Sequence, residues 1–405
     1  MTDYDVIVVG ARCAGSTTAM LLARNGHRVL VVDRATFPSD TLSTHVIHAP
    51  GVAALERWGL LDRVVATGCP PIESYSFDFG HFTISGTTRP VAGNTTGYAP
   101  RRVVLDKILV DAAAEAGAEV REGFNVDEIA MDGDRVVGVR GHSGDGDQEL
   151  LTARLVIGAD GRNSHVAKAV AAPAYHQKER LLWSFYTYFR GLPTDGFEIY
   201  IRPDRGFAAA PTNDGLTMVV VGWPYRQSGE YKQDVEGNFL ATLELAPEFA
   251  ARVKAAERVE EFLGGAVPNF FRTPYGNGWA LVGDAGYNKD PITAQGICDA
   301  FRDAEQCSSA VDDWLRERST YDAAMAAWHR ARDEEMLPLY EFTTQLATLE
   351  PPPPEMQQLL GAVAGNREAM DGFVSVNAGT LSPVAFFSEE NIGAILGAAT
   401  VAHGA

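Results

Sequence analysis

Two glycines and a carboxylate set the first chemical expectation. Gly10 and Gly15 bracket Ala11-Arg12-Cys13-Ala14 directly after the apolar run Asp5 to Val9, and Asp33 closes the next apolar run. Glycines at a strand-to-helix junction permit a tight turn and close helix packing. The helix N-terminus then offers unpaired N–H groups and the positive end of its dipole, while a carboxylate ending the second strand accepts from a ribose hydroxyl. That is the chemistry of a dinucleotide pyrophosphate. One position departs from G-x-G-x-x-G, because Arg12 stands where the middle glycine belongs. Either its side chain points away while the backbone approaches the phosphates, or its guanidinium itself neutralises one. The bland alternative is a β-α-β unit that binds nothing, and the Asp33 spacing weighs against it.

Two further segments follow apolar runs. Leu151 to Ile157 leads into Gly158-Ala159-Asp160-Gly161-Arg162-Asn163-Ser164, which alone reads as a common Asp-Gly turn. Ala280-Leu281-Val282-Gly283-Asp284-Ala285 continues to Asp290-Pro291-Ile292-Thr293-Ala294-Gln295-Gly296-Ile297, with Ala300 and Asp303 beyond. In this order and spacing the three segments resemble those of the para-hydroxybenzoate hydroxylase-like, single-component (class A) FAD-dependent monooxygenases. The likeness covers roughly the first 320 residues, and the rest matches in length and helical texture only.

The resemblance implies FAD as cofactor, held by Gly10, Arg12, Ala14, Gly15, Asp33 and Arg34 in front, with Asp160 on the ribose side and linked to nicotinamide use. It places Asp284 on the ribityl chain. Pro291, Gly296 and Ile297 bring a helix N-terminus to the flavin pyrimidine ring, where it stabilises the charge that appears on reduction. Arg102, opening a helix in Arg102-Val103-Val104-Leu105-Asp106, resembles an arginine near the FAD. Val126 resembles a residue whose backbone meets the adenine. A surface arginine and a plain strand valine are the bland readings of those two.

The elements must position these residues. Asp5 to Val9, Ala14 to Ala23 and Arg28 to Val32 read as a β-α-β unit. A helix is predicted from about Val103 to Glu115, then strands at Ala118 to Arg121 and Arg135 to Arg140. Leu181 to Trp223, rich in aromatic and β-branched residues with regular turns, reads as an antiparallel sheet. Helical periodicity returns at Asn238 to Glu261. A strand at Trp279 to Val282 and a helix at Gly296 to Leu315 follow, then an alanine-rich helical tail interrupted by Pro351 to Pro354.

The expected fold class is α/β: a Rossmann-like FAD-binding domain, an inserted antiparallel-sheet substrate domain and a helical C-terminal region. The expected FAD domain is discontinuous (1–75, 98–178 and 270–320). Residues 76–97 and 179–269 form the substrate domain, and 321–405 the helical region.

Composition narrows the classes. The chain has 405 residues, 46% of them hydrophobic, and a net charge of −19, which argues against nucleic acid because phosphate binding needs clustered cations. Cys13, Cys69, Cys298 and Cys307 show no metal or disulfide spacing, so no metal is expected. With no apolar run long enough to span a membrane and no basic N-terminal region, the expectation is a cytoplasmic enzyme without a membrane span. A homodimer is a fair expectation for its assembly.

By the same resemblance, NAD(P)H reduces the flavin, O2 adds at C4a, and one oxygen atom passes to an aromatic or lipophilic small molecule by hydroxylation or epoxidation. Trp183, Tyr186 and Tyr188 are the substrate candidates. Period-2 alternation sends Tyr186 and Tyr188 to one face and Trp183 to the other, without saying which meets substrate. No catalytic base is assigned, and His45 and His48 read as exposed-loop histidines. Geranylgeranyl-reductase-like reduction of a C=C bond is the alternative, although the usual aromatic-Phe-Pro-Lys motif is missing. Halogenation is weaker still, since the first lysine is Lys107 and no W-x-W-x-I-P segment exists. A flavoprotein without turnover is the remaining class.

Overall fold

The computed structural model describes residues 2–403. The chain opens with β1 (Tyr4–Val9), α1 (Cys13–Arg24), β2 (Val29–Asp33), α2 (Ala49–Arg57), β3 (Tyr75–Asp78) and β4 (Thr83–Gly86). It continues through α3 (Arg102–Glu115), β5 (Glu119–Glu122), β6 (Phe124–Asp132), β7 (Arg135–Ser143) and β8 (Glu149–Gly158). Next come β9 (Leu182–Arg190), β10 (Phe197–Arg202), β11 (Arg205–Pro211), β12 (Leu216–Pro224), α4 (Val235–Leu243), α5 (Pro247–Ala255), β13 (Glu257–Arg258) and β14 (Leu263–Gly265). The remainder is β15 (Tyr275–Gly276), β16 (Trp279–Leu281), α6 (Gly296–Leu315), α7 (Tyr321–Leu346), α8 (Pro354–Ala364), α9 (Arg367–Asn377) and α10 (Glu389–His403).

In the first sheet β1 lies between β8 and β2, with β16 outside β8 and β5 outside β2, all parallel. Such strands are covered on both faces and so read as unbroken apolar runs. Val6 and Val8 face a core shared with α1, α3 and α6, whereas Ile7 and Val9 face one shared with the β6–β7 hairpin. A one-residue slip would exchange the two faces, so burial fixes the register.

The second sheet runs β13-β9-β12-β11-β10-β3-β4, antiparallel except between β10 and β3. One face carries Tyr186, Tyr188, Tyr75, Phe77 and Met218 against Leu359, Val363, Phe373 and Val374 of α8 and α9. The other packs Phe189, Phe207, Val221 and Trp223 against Phe239, Leu243, Phe249 and Val253 of α4 and α5.

The helix expected over Asn238 to Glu261 is shorter and broken. α4 ends at Leu243, and α5 starts at Pro247, where a missing N–H costs nothing, and stops at Ala255. Residues 257–265 then turn back as β13 and β14 along β9, pairing with Phe189–Arg190 and with Ser184–Tyr186. Local periodicity did not contain that edge pairing. Among the described residues no helix is long and apolar enough to cross a membrane.

Candidate active site

Sheet order brings the three segments together. Val9 is paired with Gly158, Gly158 with Leu281, and Val9 with Val32, so the ends of β1, β8, β16 and β2 lie side by side. Each segment leaves one of these strands. Gly10 adopts φ +103°, and a Cβ there would stand 2.5 Å from the Ala159 carbonyl oxygen. At Gly15 a Cβ would lie 1.7 Å from the Gly10 carbonyl oxygen. Gly283 presses on Ala14 at the head of α1, with 2.7 Å to a built Cβ. α1 has no side-chain cap and no acidic residue in its first turn, leaving its leading N–H groups and dipole free for an anion.

Arg12 engages its guanidinium within the protein. Its backbone is extended, at φ −96°, a conformation any residue adopts, so glycine is not required there. The guanidinium turns to Asp106, with Nη1 to Oδ2 at 2.5 Å, and also donates to the Ser39 and Asp40 carbonyl oxygens. Asp106 is fully buried and accepts Arg102 as well, from Nε at 2.9 Å and from Nη2 at 3.1 Å. Arg102 is therefore no free surface arginine. Asp106 was not singled out from sequence, though its spacing of four from Arg102 on a helix is a readable pairing signal.

The other front residues are placed as follows. Asp33 accepts from the Ala11 N–H at 2.7 Å and the Ala35 N–H at 2.8 Å, which folds the strand end onto the glycine turn. Arg34 is exposed. Val126 sits at a bulge of β6 against β7. Asp160 Oδ2 accepts from the His165 and Val166 N–H groups, capping a short helical turn, while its enclosed Oδ1 has no partner among the described residues.

Asp284 is open to solvent, yet it lies in a recess of protein. Burial raises its carboxyl pKa, while Arg102 and Arg162 pull it down. Beyond it, Pro291 opens a single turn, and Ala294, at φ +52°, redirects the chain into α6. Nothing lies within 4 Å of a Cβ built on Gly296, so open space adjoins the N-terminus of α6, whereas Ile297 is buried. Burial pushes the Asp290 carboxyl up to about 7 against donation from the Ile292 N–H.

Tyr186 and Tyr188 occupy the face of β9 that shares a core with Ala294 of this loop. Trp183 is not with them. It lies on the opposite face beside Phe185, under the Lys232 ammonium at 3.5 Å. His45 and His48, expected in an exposed loop, are both buried. His45 holds φ +61° and bonds the Tyr188 hydroxyl through Nε2, while its enclosed Nδ1 has no partner among the described residues. His48 bonds the Tyr75 hydroxyl through Nδ1 at 3.1 Å, and its Nε2–H donates to the Thr293 carbonyl at 3.0 Å. Burial, with Arg102 nearby, brings His45 down to about 3, and burial brings His48 down to about 4. Both rings are neutral at physiological pH and tie their loops to the second sheet.

Donor N–H groups at α1, glycines that admit backbone contact, a recessed carboxylate and a second helix N-terminus beside open space suit a long phosphorylated cofactor with an anionic ring edge. Comparison with known proteins agrees. The model of an FAD binding domain matches residues 3–333. The chain is 28% identical over 351 residues to the 6-methylpretetramide 4-monooxygenase of Streptomyces rimosus, covering 82% of this chain and 81% of that protein. It is 27% identical over 363 residues to digeranylgeranylglycerophospholipid reductase 1 of Methanopyrus kandleri, covering 86% and 91%. The fold is similar to that of the flavin-dependent brominase Bmp2, with TM-score 0.83 at 17% identity over 99% of both chains.

Proposed function

This chain belongs to the FAD binding domain family and is an FAD-dependent oxidoreductase, and on that premise we propose that it is an NAD(P)H-dependent monooxygenase of an aromatic or lipophilic small molecule. The observation that supports this most is the meeting of three glycine-bearing strand ends beside a face whose side chains are aromatic and enclosed. FAD, when bound, supplies hydride acceptance from NAD(P)H and the activation of O2.

The chain's own residues do the rest. The α1 N-terminus and Gly10–Gly15 hold the pyrophosphate, Asp33 and Asp160 the sugar side, and Asp284 the ribityl hydroxyls. The α6 N-terminus at Gly296 stabilises negative charge on the ring edge. Tyr186 and Tyr188 orient the substrate, and the apolar packing of this sheet, through β4, on α8 and α9 keeps water away. We assign 1–75, 98–178 and 270–320 to the flavin unit and 76–97 with 179–269 to the substrate unit.

Anaerobic mixing of the holoenzyme with NADH and with NADPH tests the reading. It expects bleaching of the flavin by one of them and product only after oxygen is admitted. Absence of bleaching by both would overturn it. Reduction of an isoprenoid or other C=C bond is the second reading, favoured by the likeness to a digeranylgeranylglycerophospholipid reductase at nearly the same identity. That reading expects product without oxygen.

A further inference from the structure

An open cleft of about 480 Å³ is lined by Arg258, Val259, Glu260, Glu261 and Leu263, on the segment that turns back along β9. Its wall is tied to β9, because the Val259 N–H donates to the Tyr188 carbonyl and the Thr187 hydroxyl donates to the Glu260 carbonyl. Arg101 adjoins this wall at Glu260. Its guanidinium lies over the Tyr188 ring at 4.7 Å. Nη2 contacts Glu260 at 2.7 Å and Asp40 at 3.4 Å, and among the described residues the enclosed Nε has no acceptor. The backbone is fixed by donation from the Arg101 N–H to Asn213 Oδ1.

A guanidinium presents Nε and Nη2 as one fork matched to two acceptor oxygens. Here half the fork is used by a partly exposed carboxylate, and the other half is unpaired. Ion pairs with exposed acids are weak and exchangeable. Asp40, Glu260 and Glu261 are acidic neighbours, so an anionic ligand would be repelled unless a cation received it; Arg258 of the lining is paired with Glu236, and Arg101 is the cation that lies over Tyr188.

We propose that Arg101 is a specificity-determining residue of the substrate site, taking an acidic oxygen of an aromatic substrate in exchange for Glu260. The proposal rests on the reading of Tyr186 and Tyr188 as the substrate face. The carboxylate or phenolate occupies the Nε–Nη2 edge, the ring stacks near Tyr188, and the remainder of the molecule points toward His45 and the flavin recess.

The test is calorimetric titration of the FAD-loaded enzyme with naphthoate and with its neutral isostere naphthamide. The wild type is expected to bind naphthoate about tenfold more tightly, Arg101→Gln to lose that preference, and Glu260→Gln to widen it. Should Arg101→Gln fail to fold, Glu260→Gln carries the decision, because freeing the fork must favour the acid. Equal binding of both probes by the wild type, binding of neither, or an unchanged preference in the variants overturns the proposal. NAD(P)H oxidation and oxygen uptake are followed on the same preparations. Loss of those with the preference intact sinks the monooxygenase reading and leaves Arg101 in place.

Discussion

Arg101 and Arg102 are consecutive, yet they sit in opposite settings. Arg102 grips Asp106, a carboxylate with no exposure, and shares it with Arg12. Arg101 faces Asp40 and Glu260, whose side chains are 36% and 31% exposed. The arginines are chemically identical, so the difference lies in the acid. A sealed carboxylate holding two guanidiniums locks the glycine turn to α3, because both cations converge on one acid that water does not reach. Solvated acids hold theirs loosely, which suits a place where a ligand enters.

The contrast can be broken first at Asp106. Asp106→Ala leaves two guanidiniums facing a buried void and is expected to cost about 3 kcal/mol, in the range for breaking buried ion pairs. Denaturant unfolding would measure it, with weakened flavin retention alongside. A loss no larger than that of a surface pair would remove the distinction between the two settings.

A smaller effect is expected at His48, which joins the flavin-side loop to Tyr75 of the second sheet. Its folded pKa, lowered by burial to about 4 from 6.5, lies below the unfolded value. Its contribution is therefore fully present above 6.5 and is lost as pH falls toward 4. At neutral pH His48→Gln is expected to cost about 1 kcal/mol, the scale of a hydrogen bond. Unfolding measured through the acid range should show the gap between variant and wild type narrowing as pH falls. A gap independent of pH would mean the ring is not buried as a neutral group.

The smallest effect belongs to the mouth. Glu260→Gln should change stability by less than about 0.5 kcal/mol, as exposed ion pairs do. A large loss on unfolding would show that Arg101 and Glu260 form a structural lock and not an exchangeable pair.

Much of the front of the site could be read from residues alone, because backbone geometry demands particular residue types at fixed spacing. Gly15 admits no Cβ beside the Gly10 carbonyl, and apolar runs ending at Val9, Gly158 and Leu281 become neighbours through parallel pairing. Arg12 was half legible. Its extended backbone explains how an arginine replaces a glycine, but its partner Asp106 lies 94 residues away. The substrate side was least legible. His45 and His48 read as exposed because their covers, Tyr188 and Tyr75, come from distant strands. The edge strands that flank Glu260 were hidden within a helical pattern, since pairing with β9, not local periodicity, decides their shape.

The most direct test of the central claim, that the three strand ends form one FAD site, is the FAD dissociation constant of Asp284→Ala. Asp284 belongs to the third segment, stands open in the recess and has Arg102 and Arg162 close by. The account expects affinity weakened by about tenfold or more, with the apoprotein fold intact. Flavin content and affinity equal to wild type would contradict it.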